Sequence, residues 1–254
     1  MDIYRHLPGL NILVPLSNSE SSDPFLLNVF GCTQERSRGL VAEGLLVAES
    51  SDLPEIDVAG AEPFVREWLS QRPWRACLWP KDRPGADRPG GAVYHAAIAE
   101  LLCSEQAQRS IADRLAYARR GFANLLVSLK SECNISRLLT AARVAMDLGE
   151  RGDSVVMLEE ILGMLPESGE DVASWLPEPF LPPDRRHDGL EPETCSPRTV
   201  ISLMVDEPLL ECSAFLTYFL RDRATPILRR LSQNPLHSAH IERRISVAKR
   251  IIPV

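Results

Sequence analysis

Two histidines near the end of the chain have a spacing that metal ligands use. His237 and His240 are three residues apart, so on a helix they would share one face, and Glu242 offers a carboxylate nearby. The sequence suggests no additional ligand, and the surrounding arginines would repel a cation. The pattern therefore predicts residues that cap and solvate a terminal helix, and no metal site.

The cysteines are a second group with possible chemistry. They are widely spaced and form no C-x-x-C pair, which a zinc ribbon or finger needs in order to close a tetrahedral site. Spacing alone leaves disulfides open, but a chain of this length without a secretory signal favours free, largely buried thiols. These cysteines are Cys32, Cys77, Cys103, Cys133, Cys195 and Cys212.

Charge and motifs narrow the classes of function. The formal net charge of -7 argues against a general nucleic-acid binder, because neutralising phosphates takes surplus basic residues. The short motifs of phosphate loops, dinucleotide binding, metalloproteases and α/β-hydrolases are all missing from the sequence. Basic residues gather in the last part of the chain, including Arg229-Arg230, Arg243-Arg244 and Lys249-Arg250. They predict contact with an acidic partner, a phosphate-rich ligand or the acidic middle of this chain, unless they only solvate a helix face.

Composition is that of a globular protein, with 44% hydrophobic residues and a mean hydropathy of -0.10. No apolar run approaches the roughly 20 residues that span a bilayer. The first apolar run, residues 7–16, is broken by Pro8, Gly9 and Pro15, which disfavours a signal peptide. We therefore expect a cytoplasmic protein without a membrane span.

Residues 1–91 are predicted to form a small α/β region. Short apolar runs flanked by turn formers indicate strands at residues 11–14, 25–30, 45–48 and 76–79. Short helices are predicted at residues 35–42 and 63–71, with Pro63 at a first helical position. Residues 80–91 hold three prolines and three glycines, which predicts a linker and a domain boundary.

From residue 92 the pattern becomes helical, and its clearest part is a helical hairpin at residues 136–166. Apolar residues recur at helical spacing on both sides of a stop that contains Gly149 and Gly152. Asp153 or Ser154 is expected to cap the second helix, and Pro166 to end it. The prolines of residues 175–198 predict an extended surface loop, and residues 199–254 a basic helical tail. The helical region 92–174 contains the hairpin.

Two resemblances suggest functions. The hairpin resembles one tetratricopeptide repeat, which implies partner binding. Residues 45–55, LLVAESSDLPE, resemble the strand and loop that line the sugar-nucleotide cleft in the C-terminal half of bacterial two-Rossmann-domain glycosyltransferases. Residues 98–122 are similar to a helical stretch near the end of such enzymes. Parts of residues 179–244 resemble helical tails of bacterial sugar-modifying and methyltransferase-type proteins, for which assembly or docking is the implied role.

The glycosyltransferase resemblance implies a set of substrate-binding residues. Glu49, Ser50, Ser51 and Glu55 would hold the donor by hydrogen bonds, and His95 would assist proton transfer. That family also has a glutamate that grips the donor before the strand; here Ser37 falls near that place, and Glu35 and Glu43 are displaced to either side. About 90 residues cannot hold two Rossmann domains, so an N-terminal half would be missing.

The sequence thus predicts an α/β N-terminal region plus a mainly α-helical C-terminal body. The leading hypothesis is a non-catalytic accessory or protein-interaction module in bacterial glycan or surface modification. The alternatives are an active sugar-nucleotide-dependent glycosyltransferase and a purely structural helical module. A protein partner is expected, a sugar nucleotide is the second candidate ligand, and no nucleic acid, cofactor or metal is expected.

Overall fold

A computed structural model describes residues 2–16, 29–47, 58–78, 88–166, 171–192, 195–214 and 221–251. Helices dominate, and a three-stranded antiparallel sheet lies near the N-terminus. This confirms the predicted fold class. Within these ranges no helix has both the length and the apolar character needed to cross a membrane.

The sheet consists of β1 (Asp2–Leu7), β2 (Ile12–Pro15) and β3 (Val29–Cys32) in the order β2-β1-β3. The strand predicted at residues 11–14 is confirmed as β2. Alternation along the strands sends Leu7, Ile12 and Val14 into the main core. Tyr4 joins a small separate cluster with residues of α1 (Gln34–Ala42) and the following turn. Thr33 caps α1, which confirms the helix predicted there.

The next two helices differ from prediction. α2 (Val58–Ser70) begins before Pro63, which therefore lies inside the helix. The strand predicted at residues 76–79 is wrong, because the chain forms the helical turn α3 (Arg75–Leu78). The reason is visible in the burial pattern: Trp74 and Leu78 are both fully buried and lie four residues apart, which is helical spacing.

Four long helices form the body: α4 (Gly91–Ser104), α5 (Ile111–Ser131), α6 (Ile135–Asp147) and α7 (Arg151–Met164). α4 and α6 are buried along most of their length. α4 and α5 approach closely at Gly121, where a Cβ atom would lie 2.9 Å from the Leu101 side chain. Ser110 caps α5, and the Ser104 hydroxyl donates to Leu101 O within α4.

The predicted hairpin is formed by α6 and α7. Gly149 ends α6 with a φ of 79°, as the glycine-bearing stop predicted. Two contacts show that the helices are antiparallel: Ser154 Oγ donates to Ala142 O at 3.1 Å, and Cys133 Sγ lies 3.6 Å from Glu160 Oε1. The cap prediction is wrong, since Glu150 occupies the N-cap position and Ser154 is used to hold the two helices together.

The C-terminal part contains α8 (Val172–Trp175), a 3₁₀ helix (Arg185–Gly189), α9 (Pro197–Ala214), α10 (Arg221–Gln233) and α11 (Ala239–Ile251). α9 continues through Pro208, which lies inside the helix. Buried side chains from Leu7 to Ile245 form one continuous hydrophobic cluster. The predicted division into domains stays a prediction.

The prediction of a surface loop at residues 175–198 is wrong for its first half. Residues 175–183 are all buried. The side chains of Leu176, Phe180 and Leu181 enter the core, and Phe180 stacks on Trp74 at a centroid distance of 5.0 Å. Prolines have no N–H group to satisfy, so a proline-rich chain can be buried with fewer backbone hydrogen bonds than another extended segment needs.

Candidate functional site

The buried proline segment is anchored on α6 by an ion pair. Arg137 donates from Nε to Glu178 Oε2 and from Nη2 to Glu178 Oε1, each at 2.7 Å. Both side chains are completely buried. Asn134 Nδ2 also donates to Glu178, and Arg137 Nη1 donates to two backbone carbonyls. The pair is therefore embedded in hydrogen bonds, as a buried pair of charges requires.

Tyr94 holds the same segment from the side of α4. Its hydroxyl donates to Pro179 O at 2.6 Å and lies 2.9 Å from Thr140 Oγ1. Thr140 Oγ1 accepts the backbone N–H of Leu181. Burial raises the pKa of Tyr94 well above its usual value, and the nearby Glu178 carboxylate raises it further. The phenol therefore stays neutral and acts as a structural hydrogen-bond donor.

A second charged cluster lies around Arg143, one helical turn from the end of α6. Its Nη1 donates to Asp188 at 2.8 Å and its Nη2 to Glu105 at 2.8 Å. Burial acts to lower the pKa of Arg143, but Glu105 and Asp188 outweigh it and raise the pKa. Arg185 extends the cluster toward the surface by pairing with Asp147 at 2.8 Å. The cluster joins α4, α6 and the 3₁₀ helix.

Above this cluster is an open cleft of about 310 Å³, which we call the hairpin-turn cleft. Its walls come from the β1–β2 turn, the facing ends of α6 and α7, the start of the 3₁₀ helix and the last turn of α9. It is lined by Pro8, Gly9, Met146, Asp147, Arg151, Pro183, Asp184, Arg185, Glu211 and Cys212. The cleft thus forms where the N-terminal sheet, the hairpin and the proline segment meet.

The cleft carries ionised groups of both signs. Asp184 and Glu211 both accept hydrogen bonds from the exposed Arg186 guanidinium. Burial acts to raise the pKa of Asp184, but the hydrogen bonds and charge of Arg186 outweigh it and lower the pKa. Gly9 is required at the rim, because a Cβ atom there would lie 2.3 Å from the Cβ of Asp147. The rim is closed further by a hydrogen bond from Gly9 N–H to Asp147 O.

The residues expected from the glycosyltransferase resemblance lie elsewhere. Glu49, Ser50, Ser51 and Glu55 are outside the described residues. Glu43 follows α1 on the surface, 3.9 Å from Arg36. His95 is buried in α4. Neither Glu43 nor His95 lines the hairpin-turn cleft, and their role in donor binding stays a prediction.

The histidines considered as metal ligands make other contacts. His237 Nε2 lies 2.5 Å from Glu242 Oε2, and His237 Nδ1 lies close to Asn234 O. Burial acts to lower the pKa of His237, but the Asn234 and Glu242 hydrogen bonds outweigh it and raise the pKa. In the described ranges of the chain, no group of three or more His, Cys, Asp or Glu residues is arranged to hold a metal ion.

A buried histidine–glutamate pair joins the 3₁₀ helix to α9. His187 Nε2 donates to Glu207 Oε2 at 3.0 Å, and Glu207 Oε1 accepts the backbone N–H of Ser238 at the start of α11. Burial acts to raise the pKa of Glu207, but the His187 and Ser238 hydrogen bonds outweigh it and lower the pKa below its usual 4.5.

We therefore predict that the contribution of Glu207 to the stability of the fold is lost at low pH. A carboxyl with a lower pKa in the folded chain contributes stability that is complete above its unfolded pKa and lost as the pH falls through the folded value. We expect the stability difference between wild type and Glu207→Gln to shrink as the pH falls below about 4.5. Urea unfolding from pH 7 downward measures this. A difference that stays constant across that range would show that Glu207 does not titrate as described.

Sequence reasoning missed the two arginine clusters, although a signal was present. Ser136, Thr140 and Arg143 lie at i, i+4 and i+7 along α6, which makes a polar stripe on an otherwise apolar helix. Such a stripe normally indicates the solvent face. Here it faces the buried proline segment.

Comparison of the chain with protein-family models, with curated proteins and with solved structures found no match.

Proposed function

We propose that this chain is a protein-interaction module that binds an extended segment of a partner protein in the hairpin-turn cleft. The observation that carries the proposal is the cleft itself, because it is formed by four separate parts of the chain and has a volume of about 310 Å³. That volume lies at the lower end of the range for ligand-binding pockets. The proposal agrees with the expectation that the helical hairpin serves partner binding.

The charges of the cleft suggest which segment it accepts. Asp147, Asp184 and Glu211 supply carboxylates, while Arg151 and Arg185 supply guanidinium groups. A partner segment that has an acidic and a basic side chain a few residues apart would form ion pairs with both: its acidic side chain with the guanidinium groups and its basic side chain with the carboxylates. Each exposed pair contributes only about 0.2–1 kcal/mol, so the fit of the segment to the cleft must supply most of the affinity. Binding should also weaken as salt is added.

The network beneath the cleft supports a binding role. Arg143 fixes Glu105 and Asp188, and the Arg137–Glu178 pair fixes the proline segment on α6. The walls are therefore held in position before a partner arrives, which lowers the entropic cost of binding. A role in bacterial glycan or surface modification rests on the sequence resemblance alone and is part of the same proposal.

The test uses the protein and two matched charge-reversal variants as bait to capture the partner from a lysate of the source organism. Arg151 is in the first turn of α7 at the cleft, and Arg198 is in the first turn of α9 away from it. A glutamate in a first helical turn is favourable, so both Arg151→Glu and Arg198→Glu should leave the fold intact. We expect Arg151→Glu to reduce recovery of the partner by up to about tenfold, because the reversal removes one exposed ion pair and adds a repulsion of similar size. Arg198→Glu should not reduce it.

Equal recovery by the two variants would contradict docking in the cleft, and so would no recovery above background by wild type. Thermal melting with a panel of sugar nucleotides and plain nucleotides separates the transferase alternative. A ligand at 100 times its dissociation constant adds roughly 2.7 kcal/mol to the stability of the folded state. A rise in Tm with one class of sugar nucleotide would favour the transferase alternative. The residues to substitute next would then be Glu43, Glu49 and Glu55.

A further inference from the structure

Two cysteines that are distant in sequence meet at the edge of the core. Cys77 belongs to α3, and Cys195 precedes α9, 118 residues later. The Cys77 thiol lies 3.5 Å from the backbone carbonyl oxygen of Cys195. Both side chains are half-buried, and both thiols are free. The two residues are therefore neighbours in the fold, and a disulfide between them requires that their sulfurs close to about 2.0 Å.

The backbone at both positions is held in place. The N–H of Cys77 donates to Trp74 O at 3.1 Å, and the N–H of Cys195 donates to Pro192 O at 3.2 Å. Trp74 is itself fully buried and stacked on Phe180. Burial raises the pKa of Cys77, and the nearby Cys195 raises it further.

We propose that Cys77 and Cys195 form a reversible disulfide that ties α3 to the segment leading into α9. A small disulfide such as oxidised glutathione is the oxidant. One cysteine thiolate attacks a glutathione sulfur, which forms a mixed disulfide and releases one glutathione thiolate. The second cysteine thiolate then attacks the protein sulfur of that mixed disulfide and releases the second glutathione. Two electrons pass to glutathione, and the protons of the two cysteines end on the two glutathione thiols.

Two of the other described thiols have different surroundings. Cys103 lies near Arg109, and Cys133 is exposed and lies near Glu160. Cys133 is the most accessible thiol by exposure, so a reaction governed by access alone would modify it first. Selective pairing of Cys77 with Cys195 would therefore report their geometry in the folded protein.

The experiment treats the folded full chain with oxidised glutathione at mildly alkaline pH, blocks free thiols and maps the peptides without reduction. We expect one dominant cross-linked peptide that joins Cys77 to Cys195, with the loss of two hydrogen atoms and reversal by dithiothreitol. Because the closed loop is long, Tm should rise by roughly 5 °C or more. Cys77→Ser and Cys195→Ser should each abolish the cross-link and the shift, and Cys133→Ser should retain both.

Four results would overturn the proposal. Cys77 and Cys195 could remain free while Cys133 reacts, or each could end as a separate glutathione adduct. The cross-link could also form only in urea, which would assign it to the unfolded chain. A cross-link in the folded protein without a rise in Tm would likewise contradict it, because a disulfide that fits the native structure restricts the unfolded chain.

Discussion

Replacing Glu178 by alanine is expected to lower the free energy of unfolding by about 3–5 kcal/mol, because it leaves the buried Arg137 guanidinium without its counter-ion. Both side chains are completely buried, and the nearest remaining carboxylate is Glu132, whose Oε2 lies 3.8 Å from Arg137 Nη2. Tm should fall by roughly 10 °C. Urea unfolding and thermal melting measure the two quantities.

The control for this prediction removes both charges. In the double variant Arg137→Met with Glu178→Leu, apolar side chains replace the ion pair, and such replacements are often neutral or stabilising. We expect the double variant to recover most of the loss, although Asn134 loses its acceptor. A double variant as unstable as Glu178→Ala would show that the loss of stability comes from a disturbed proline segment and not from the unpaired charge of Arg137.

The second large effect is expected for Arg143→Met, at about 2–4 kcal/mol. The substitution keeps the length and apolar character of the side chain but removes the charge that faces Glu105 and Asp188. These carboxylates are partly exposed, at 23% and 19%, so water can solvate them in part and the cost is smaller than at Glu178. Denaturant unfolding at neutral pH measures the change.

Arg185→Met provides the matched control for Arg143→Met. Arg185 contacts Glu105 and Asp147 in the same cluster, but its side chain is 41% exposed. An exposed ion pair contributes about 0–1 kcal/mol, so this variant should be nearly as stable as wild type. Equal losses at the two positions would contradict the distinction between the buried and the exposed part of the cluster.

The hairpin shows what could be predicted from the sequence. Apolar spacing and Gly149 are local signals, and they predict both α6 and the residue at which it ends. The caps were less predictable, because Ser154 bonds to Ala142 across the hairpin and not to the first turn of its own helix. The helical turn at Cys77 differs from the strand that the sequence predicts, because a short apolar run fits both structures.

The candidate site could not be predicted because its parts are distant in sequence. The proline-rich segment was recognised as extended, but proline density carries no information on burial. Glu178 lies 41 residues from Arg137, so their pairing depends on the path of the whole helical body. The hairpin-turn cleft likewise needs the β1–β2 turn and the end of α9 to meet beside the hairpin. Local patterns describe none of these contacts.

The central claim is that a partner binds in the hairpin-turn cleft, and site-specific photo-crosslinking tests it most directly. A photoreactive amino acid is placed at position 8, an exposed residue of the cleft wall, or at position 127, an exposed residue of α5 that does not line the cleft. We predict that the partner is cross-linked from position 8 and not from position 127. Cross-linking from position 127 alone, or equally from both, would contradict binding in the cleft.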